Sequence, residues 1–376
     1  MGTAILLPGR SGTLEVGSPG WQDAYPPPVT RSVYAAAHVA ATPDGGIDWE
    51  ATLAFREHLW RHGFGVAEAM DTAQRGMGLR HDQARELIAR SAARAAELGT
   101  SIVSGAGTDQ LAPGPHPLAA IIGAYTEQLC AVQDSGSEVI LMASRALAAS
   151  AESPADYLEV YEQVLKLAGR PVMLHWLGEA FDPALRGYWG AGRFSAAADT
   201  VIELLDRTGD RVRGIKLSVL HADSEIALRR RLPAGIRLYT GDDFHYAELI
   251  KGDAMGHSDA LLGAFAAITA PAAAALQALD AGDLLAYDAA IGPTVALSRH
   301  IFEPPTYDYK AGVAFLAWLN GLQPHFAMLA GLQARRSAAH LTRLFELAAA
   351  AGALLDPELA VARMTSHLAG TAAQPR

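Results

Sequence analysis

Short apolar runs alternate along most of the chain with longer stretches in which apolar positions recur every three or four residues. The short runs fall at residues 33–40, 65–70, 101–104, 138–142, 172–177, 213–217, 237–239 and 260–262. Their compactness and their flanking turn residues predict buried β-strands. The longer stretches at 49–62, 82–98, 118–132, 155–167, 196–207, 224–231, 246–251 and 271–281 have the helical period. Parallel strands need helical crossovers, so strict strand–helix alternation predicts an α/β fold with a parallel sheet. Eight such units are the number that closes a (β/α)8, or TIM, barrel. An open doubly wound sheet is the rival arrangement.

The pattern differs at both ends. Runs at 3–7 and 13–16 flank the turn signal Gly9-Arg10-Ser11-Gly12 and predict a short β-hairpin-like segment, followed by a proline-rich connector over 21–28. Beyond Gly282 only helical periods remain, at 284–302, 309–319, 336–351 and 357–368, punctuated by Pro304-Pro305, Gly321 and Pro324. The expected organisation is an N-terminal extension over 1–30, a barrel over 31–282 and a C-terminal helical region over 283–376.

Composition narrows the partners. Half of the 376 residues are hydrophobic, enough for a large core. A net charge of -10 lacks the basic footprint of a nucleic-acid binder. Cys130 is the only cysteine, which excludes intramolecular disulfides and cysteine zinc sites and suits a reducing, cytoplasmic setting. No apolar run approaches the roughly 20 residues of a membrane helix, and the start lacks the basic segment of a secretory signal. The apolar positions Phe315, Leu316, Trp318, Leu319 and Phe326 either fill the core of the helical cap itself or, as favoured here, mark a homo-oligomer, a dimer or tetramer. The expected ligand is a small molecule, with no cofactor and no resident metal.

In a parallel barrel, chemistry sits at the carboxyl ends of the strands. The sixth run ends Gly214-Ile215-Lys216-Leu217-Ser218. Alternation turns Ile215 and Leu217 toward the helices and Lys216 into the barrel. A buried amine loses charge and becomes a nucleophile toward carbonyls; a lysine that binds an anion or reaches water is the plainer alternative. Lysine is scarce here, with only Lys166, Lys216, Lys251 and Lys310. The fifth run carries His175, a candidate proton shuttle or a hydrogen-bonded core residue. Asp71 and Thr72, after the second run, are candidates for binding substrate hydroxyls or for capping. His38 lies within the first run, and Gly105 opens a Gly-Ala-Gly stretch after the third. Asp242, Asp243 and His245 follow the seventh run, and His257 and Asp259 precede the eighth. Read as adjacent loops, they offer substrate contacts, turn caps or a divalent metal site.

Several stretches resemble the N-acetylneuraminate lyase and dihydrodipicolinate synthase family of class I aldolase-type barrels, over roughly 33–321. These are Thr42-Pro43 with Gly46-Ile47-Asp48-Trp49, Gly105-Ala106-Gly107, Gly214-Ile215-Lys216, Gly241-Asp242-Asp243, and Ile301-Phe302-Glu303-Pro304 with Lys310-Ala311-Gly312. The chain looks like a divergent branch of that family. The resemblance implies that Lys216 is the Schiff-base lysine. The family's relay tyrosine is replaced by His175, and its carboxylate-binding Gly-Thr-Thr-Gly-Glu by Met70-Asp71-Thr72-Ala73-Gln74, where only Thr72 matches. Its aromatic pair after strand four is replaced by Ala143-Ser144-Arg145. Retained lysine chemistry in a changed pocket is therefore expected: a Schiff-base lyase, aldolase or dehydratase acting on a keto acid or sugar-derived carbonyl. The alternatives are a metal-assisted sugar isomerase or epimerase using Asp242, His245 and His257, and a non-catalytic sugar-binding or regulatory barrel.

Overall fold

The structure, a computed structural model, describes residues 3–372. Strands β1 (Thr3–Ile5) and β2 (Leu14–Val16) pair antiparallel, with Thr3 opposite Val16. Eight parallel strands follow: β3 (Val33–Ala36), β4 (Gly65–Glu68), β5 (Ile102–Ala106), β6 (Glu138–Leu141), β7 (Val172–Leu177), β8 (Val212–Ser218), β9 (Arg237–Thr240) and β10 (Asp259–Leu262). They close in chain order, with Ala260 of β10 paired to Val33 of β3, so the fold is a TIM barrel.

The crossovers are α1 (Trp49–Arg61), α2 (His81–Leu98), α3 (Leu118–Asp134), α4 (Arg145–Ser150), α5 (Pro154–Lys166), α6 (Phe194–Thr208), α7 (Ala222–Arg229) and α8 (Tyr246–Lys251). After β10 come α9 (Ala264–Ala267), α10 (Thr269–Asp280), α11 (Leu284–Ile301), α12 (Lys310–Leu319), α13 (Ala338–Ala350) and α14 (Pro357–Ala372). Local signals set the helix starts. Asp48 accepts from the Ala51 N–H, and Ser153, Pro154 and Asp156 form a capping box with proline at its first turn. Among the described residues no helix is long and apolar enough to cross a membrane.

Outward-facing strand residues share one continuous core with the helices. Inward-facing Tyr34, Ala36, Ala67, Val103, Ile140, Met173, Tyr239 and Leu261, with Met70, form a second core inside the barrel. The C-terminal helices join the outer core: Phe315, Leu316 and Leu319 are buried within the chain, and Trp318 and Phe326 stack on one another. The apolar positions that suggested a partner face are thus largely filled from within.

The strand ends differ from the expected runs in informative ways. The 33–40 run stays buried throughout, but its ladder stops at Ala36. The 65–70 run stops at Glu68, because Ala69 takes a left-handed conformation at φ 51° and turns the chain into a short 3-10 turn, Asp71–Ala73. The α4 and α9 helices have no counterpart in the apolar pattern, being too short to show a period.

A buried ion pair holds the bend after β4. Arg56 on α1 donates through Nε and Nη2 to Glu68 Oε2 and Oε1, both at 2.8 Å, with both side chains fully buried. The same Oε1 accepts the Ala69 N–H at 2.8 Å. The ion pair therefore anchors the residue at which the chain turns toward Asp71.

Candidate active site at the carboxyl end of the barrel

Strand register sets the floor of the site. Lys216 lies between His175 of β7 and Tyr239 of β9, so all three side chains point into the barrel. Room for the lysine stem comes from Gly241: a Cβ there would collide with Ser218 Oγ and lie 2.9 Å from Lys216 Cε. Lys216 is buried and, among the described residues, its amine forms no hydrogen bond or ion pair. Burial lowers its pKa from the ordinary 10.5, while the charges of Asp71 and Asp243 pull the other way.

The groups facing Lys216 have complementary roles. His175 is fully buried, with Nε2 3.2 Å from Ser218 Oγ and Nδ1 unpartnered. Burial, and then the Lys216 charge, hold it well below its ordinary value, so it is a neutral imidazole near pH 7. Asp243 accepts the Ala264 N–H at 2.8 Å. Burial pushes its carboxyl well up, against the pull of that hydrogen bond and of Lys216. Burial also acts to raise Asp71, but Lys216, Lys310, His175 and a hydrogen bond from Tyr309 together hold it below its ordinary value. Asp71 is thus the ionised carboxylate of the cluster.

Tyr309 and Lys310, at the start of α12, belong to this cluster; Lys310 was named in the sequence only among the four lysines and in a resembling stretch, and neither residue was expected in the site. The Tyr309 hydroxyl donates to Asp71 Oδ2 at 2.6 Å, which leaves Thr72 Oγ1, 2.7 Å away, to donate to Tyr309. Asp71 Oδ1 is buried without a partner. Lys310 is 2% exposed and donates to the Tyr307 carbonyl at 2.9 Å. Burial lowers its amine to about 8 in spite of Asp71, Asp308 and Asp182. One signal was legible: a single cation heading the long apolar stretch Lys310-Ala-Gly-Val-Ala-Phe-Leu-Ala-Trp-Leu has no ordinary place in a packed helix.

A cavity of about 490 Å³ opens on this cluster, with Asp71, Arg75, Asp109, Arg145, Asp182 and Lys310 in its wall. Lys216 is not in that wall. Asp71 is common to both, since it lines the cavity and its charge acts on Lys216 and Lys310 alike. Gly105 supports the wall from behind. Its carbonyl accepts from Arg75 at 2.6 Å, and a Cβ there would meet Met142 Sδ at 2.6 Å and the Ala69 carbonyl at 2.9 Å.

The remaining candidates are placed differently. Asp242 is spent on its own turn: Oδ1 accepts the N–H groups of Phe244 and His245 at 2.8 and 3.0 Å, and Oδ2 meets His245 Nδ1 at 2.9 Å. His257 and Asp259 stand at the amino end of β10, whereas Asp242, Asp243 and His245 follow the carboxyl end of β9. The strands are parallel, so the structure sets these groups at opposite ends of the barrel and does not bring Asp242, His245 and His257 together as one metal site. His38 packs edge-on against Phe55, with Nε2 2.6 Å from Gln323 Oε1.

Residues 6–372 match a family described as protein of unknown function (DUF993). The chain belongs to that family. Among solved structures, this DUF993 chain is similar to YagE, a prophage protein of the dihydrodipicolinic acid synthase family from E. coli K12 solved in complex with pyruvate. The identity is 17%, the TM-score 0.66, and the match covers 85% of this chain and 99% of that one. Dihydrodipicolinate synthase from Aquifex aeolicus matches at 14% identity and TM-score 0.64, covering 85% and 97%. The corresponding enzyme from Oceanobacillus iheyensis matches at 14% and 0.64, covering 84% and 95%. The DUF993 chain thus shares the fold of these dihydrodipicolinate synthase-family structures at low identity. No curated protein matches its sequence.

Proposed function

We propose that the protein is a Schiff-base-forming lyase, an aldolase or dehydratase, acting on a small carbonyl compound through Lys216. One observation carries this reading. Lys216 presents a buried amine that forms no hydrogen bond or ion pair among the described residues, lowered toward its neutral form at the carboxyl end of a barrel strand. The neutral amine adds to the carbonyl carbon, one proton is taken up from solvent and water leaves, giving an iminium that draws electrons from the neighbouring bond. Neutral His175, opposite Lys216 in the ladder, accepts the proton released there. A carbonyl entering from the cavity passes Asp71, whose unpartnered Oδ1 can receive a substrate hydroxyl. The pyruvate held by YagE, a distant structural neighbour, supports a small carbonyl ligand for this fold.

Borohydride reduction in the presence of a carbonyl panel (pyruvate, hydroxyacetone, glyceraldehyde and longer sugar-derived keto acids), followed by peptide mass spectrometry, tests it. The expected result is a reduced adduct on Lys216 that is absent from Lys216→Met, with the variant's fold checked by circular dichroism. An adduct on another residue, or none across the panel, overturns the assignment.

A further inference from the structure

The polar groups of the cavity wall can be matched in pairs, and the pairing leaves a remainder. Arg75 is engaged by Asp109 through Nε at 3.1 Å and Nη2 at 2.8 Å. Arg145 is engaged by Asp182 at 2.5 Å. Asp308, beside Lys310 in sequence, is held by Arg335 at 3.2 Å. Lys310 itself forms no ion pair among the described residues. Its Nζ–H groups meet one backbone carbonyl and the thioether of Met77 at 3.7 Å, and the amine lies 4.5 Å from the centre of the Tyr309 ring. A thioether is a weak acceptor, so the ammonium keeps hydrogen-bonding capacity that the protein does not use. A buried cation with carboxylates acting on it but none in direct contact is costly. It is retained here on a cavity wall, next to an Arg145 whose side chain is 53% exposed.

We infer that Lys310 is the anchor of an anion subsite, which takes the acid group of the substrate while its carbonyl is presented to Lys216. The subsite rests on the reading of Lys216 as the imine-forming residue, and it names the substrate class: a carbonyl compound with a second, anionic end, either carboxylate or phosphate. The separation of duties follows from the two lysines' surroundings. Asp71 acts on both amines and so does not distinguish them, but Lys216 lies inside the barrel beside a neutral imidazole and outside the cavity wall. Lys310 lines the cavity, and Arg145 lines the same wall and acts on its charge. An acid group accepting from both would be held by charge-assisted hydrogen bonds, the strong kind. Lys310 also reaches the site from outside the barrel strands. The C-terminal helices thus contribute one cation to an acid-binding wall that the barrel loops otherwise supply.

The test separates this inference from the imine chemistry. Acetylation of Lys310 by acetic anhydride is followed by peptide mass spectrometry in the intact protein and in Lys216→Met, with Lys166 as the exposed internal reference. Inorganic phosphate and succinate are added separately against chloride at matched ionic strength. One of the two anions is expected to slow Lys310 at least threefold relative to Lys166 in both proteins, and which anion does so names the acid. Equal rates with phosphate, succinate and chloride overturn the subsite, whatever happens at Lys216. A second arm compares borohydride trapping of matched pairs: succinic semialdehyde against butanal, and glyceraldehyde 3-phosphate against glyceraldehyde. The wild type is expected to favour one charged member about tenfold, the worth of one charge-assisted contact, and Lys310→Met to bring that ratio close to one. A preference that survives in Lys310→Met, or an adduct on Lys310 itself, also overturns the inference.

Discussion

Replacing Glu68 by glutamine isolates the ion pair that holds the bend after β4. The shape of the side chain is kept, but its charge is lost, and one oxygen becomes an N–H2 group. Both carboxylate oxygens accept hydrogen bonds from Arg56, and Oε1 also takes the Ala69 N–H. The amide nitrogen must therefore face a donor in either orientation. The Arg56 guanidinium is left buried without a counter-charge, supported only by the His38 and Thr52 carbonyls at 2.5 and 3.0 Å. Removing one partner of a fully buried pair costs about 3–5 kcal/mol. With an unfolding entropy of about 2.1 cal/mol/K per residue, 376 residues convert that cost into a fall in Tm of about 4–6 °C. Glu57→Gln is the control. It makes the same chemical change next to Arg56 on α1, but in a pair with Arg94 whose side chains are 33% and 37% exposed, where the loss is about 1 kcal/mol or less. Differential scanning calorimetry of the three proteins measures both. A Glu68→Gln Tm within about 1 °C of wild type would refute the argument that this pair fixes the bend at Ala69.

Two further outcomes follow from the packing around Lys216 and from an unrelated buried acid. Gly241→Ala drives a methyl group against Ser218 Oγ and the Lys216 stem; borohydride trapping at Lys216 should fall tenfold or more, with a stability loss of about 1–3 kcal/mol, read by trapping yield and by urea unfolding. Glu225 accepts hydrogen bonds from Thr240 and Ser258, and burial raises its carboxyl from 4.5 to about 8. Its protonated form is the one the fold prefers, so its contribution is full below the unfolded value and is lost as pH rises through about 8. Glu225→Gln should accordingly leave Tm nearly unchanged at pH 5 and gain on the order of 3–4 kcal/mol at pH 9; an equal effect at the two pH values would sink that assignment.

Most of the barrel was legible because burial on both faces leaves strands as unbroken apolar runs, and because crossover helices keep a clear period. The (β/α)8 count, the parallel order and the inward direction of Lys216 and His175 all follow from those two patterns. What the pattern concealed was conformational or long-range. Nothing in Ala69 announces a left-handed turn, and the ion pair that holds it joins a helix residue to a strand residue 12 positions away, a pairing no local pattern shows. Asp242 and His257 looked like neighbours in sequence, but a helix and a reversal of direction lie between them, and these carry them to opposite ends of the barrel. Tyr309 and Lys310 belong to a segment that reads as a cap, and their approach to Asp71 comes from how α12 docks over the strand ends, which no local pattern encodes.

The approach of Tyr309 and Lys310 to Asp71 gives the molecule an order of assembly. The ribosome makes the strand that bears Lys216 well before it makes α12. A barrel that closes during synthesis carries its amine before it carries the wall that screens the amine's surroundings. On the reading proposed above, substrate preference is set when α12 docks, after the strand that bears Lys216 has been made. Grafting the C-terminal helices of one relative onto the barrel of another should transfer preference while leaving the imine chemistry with the recipient.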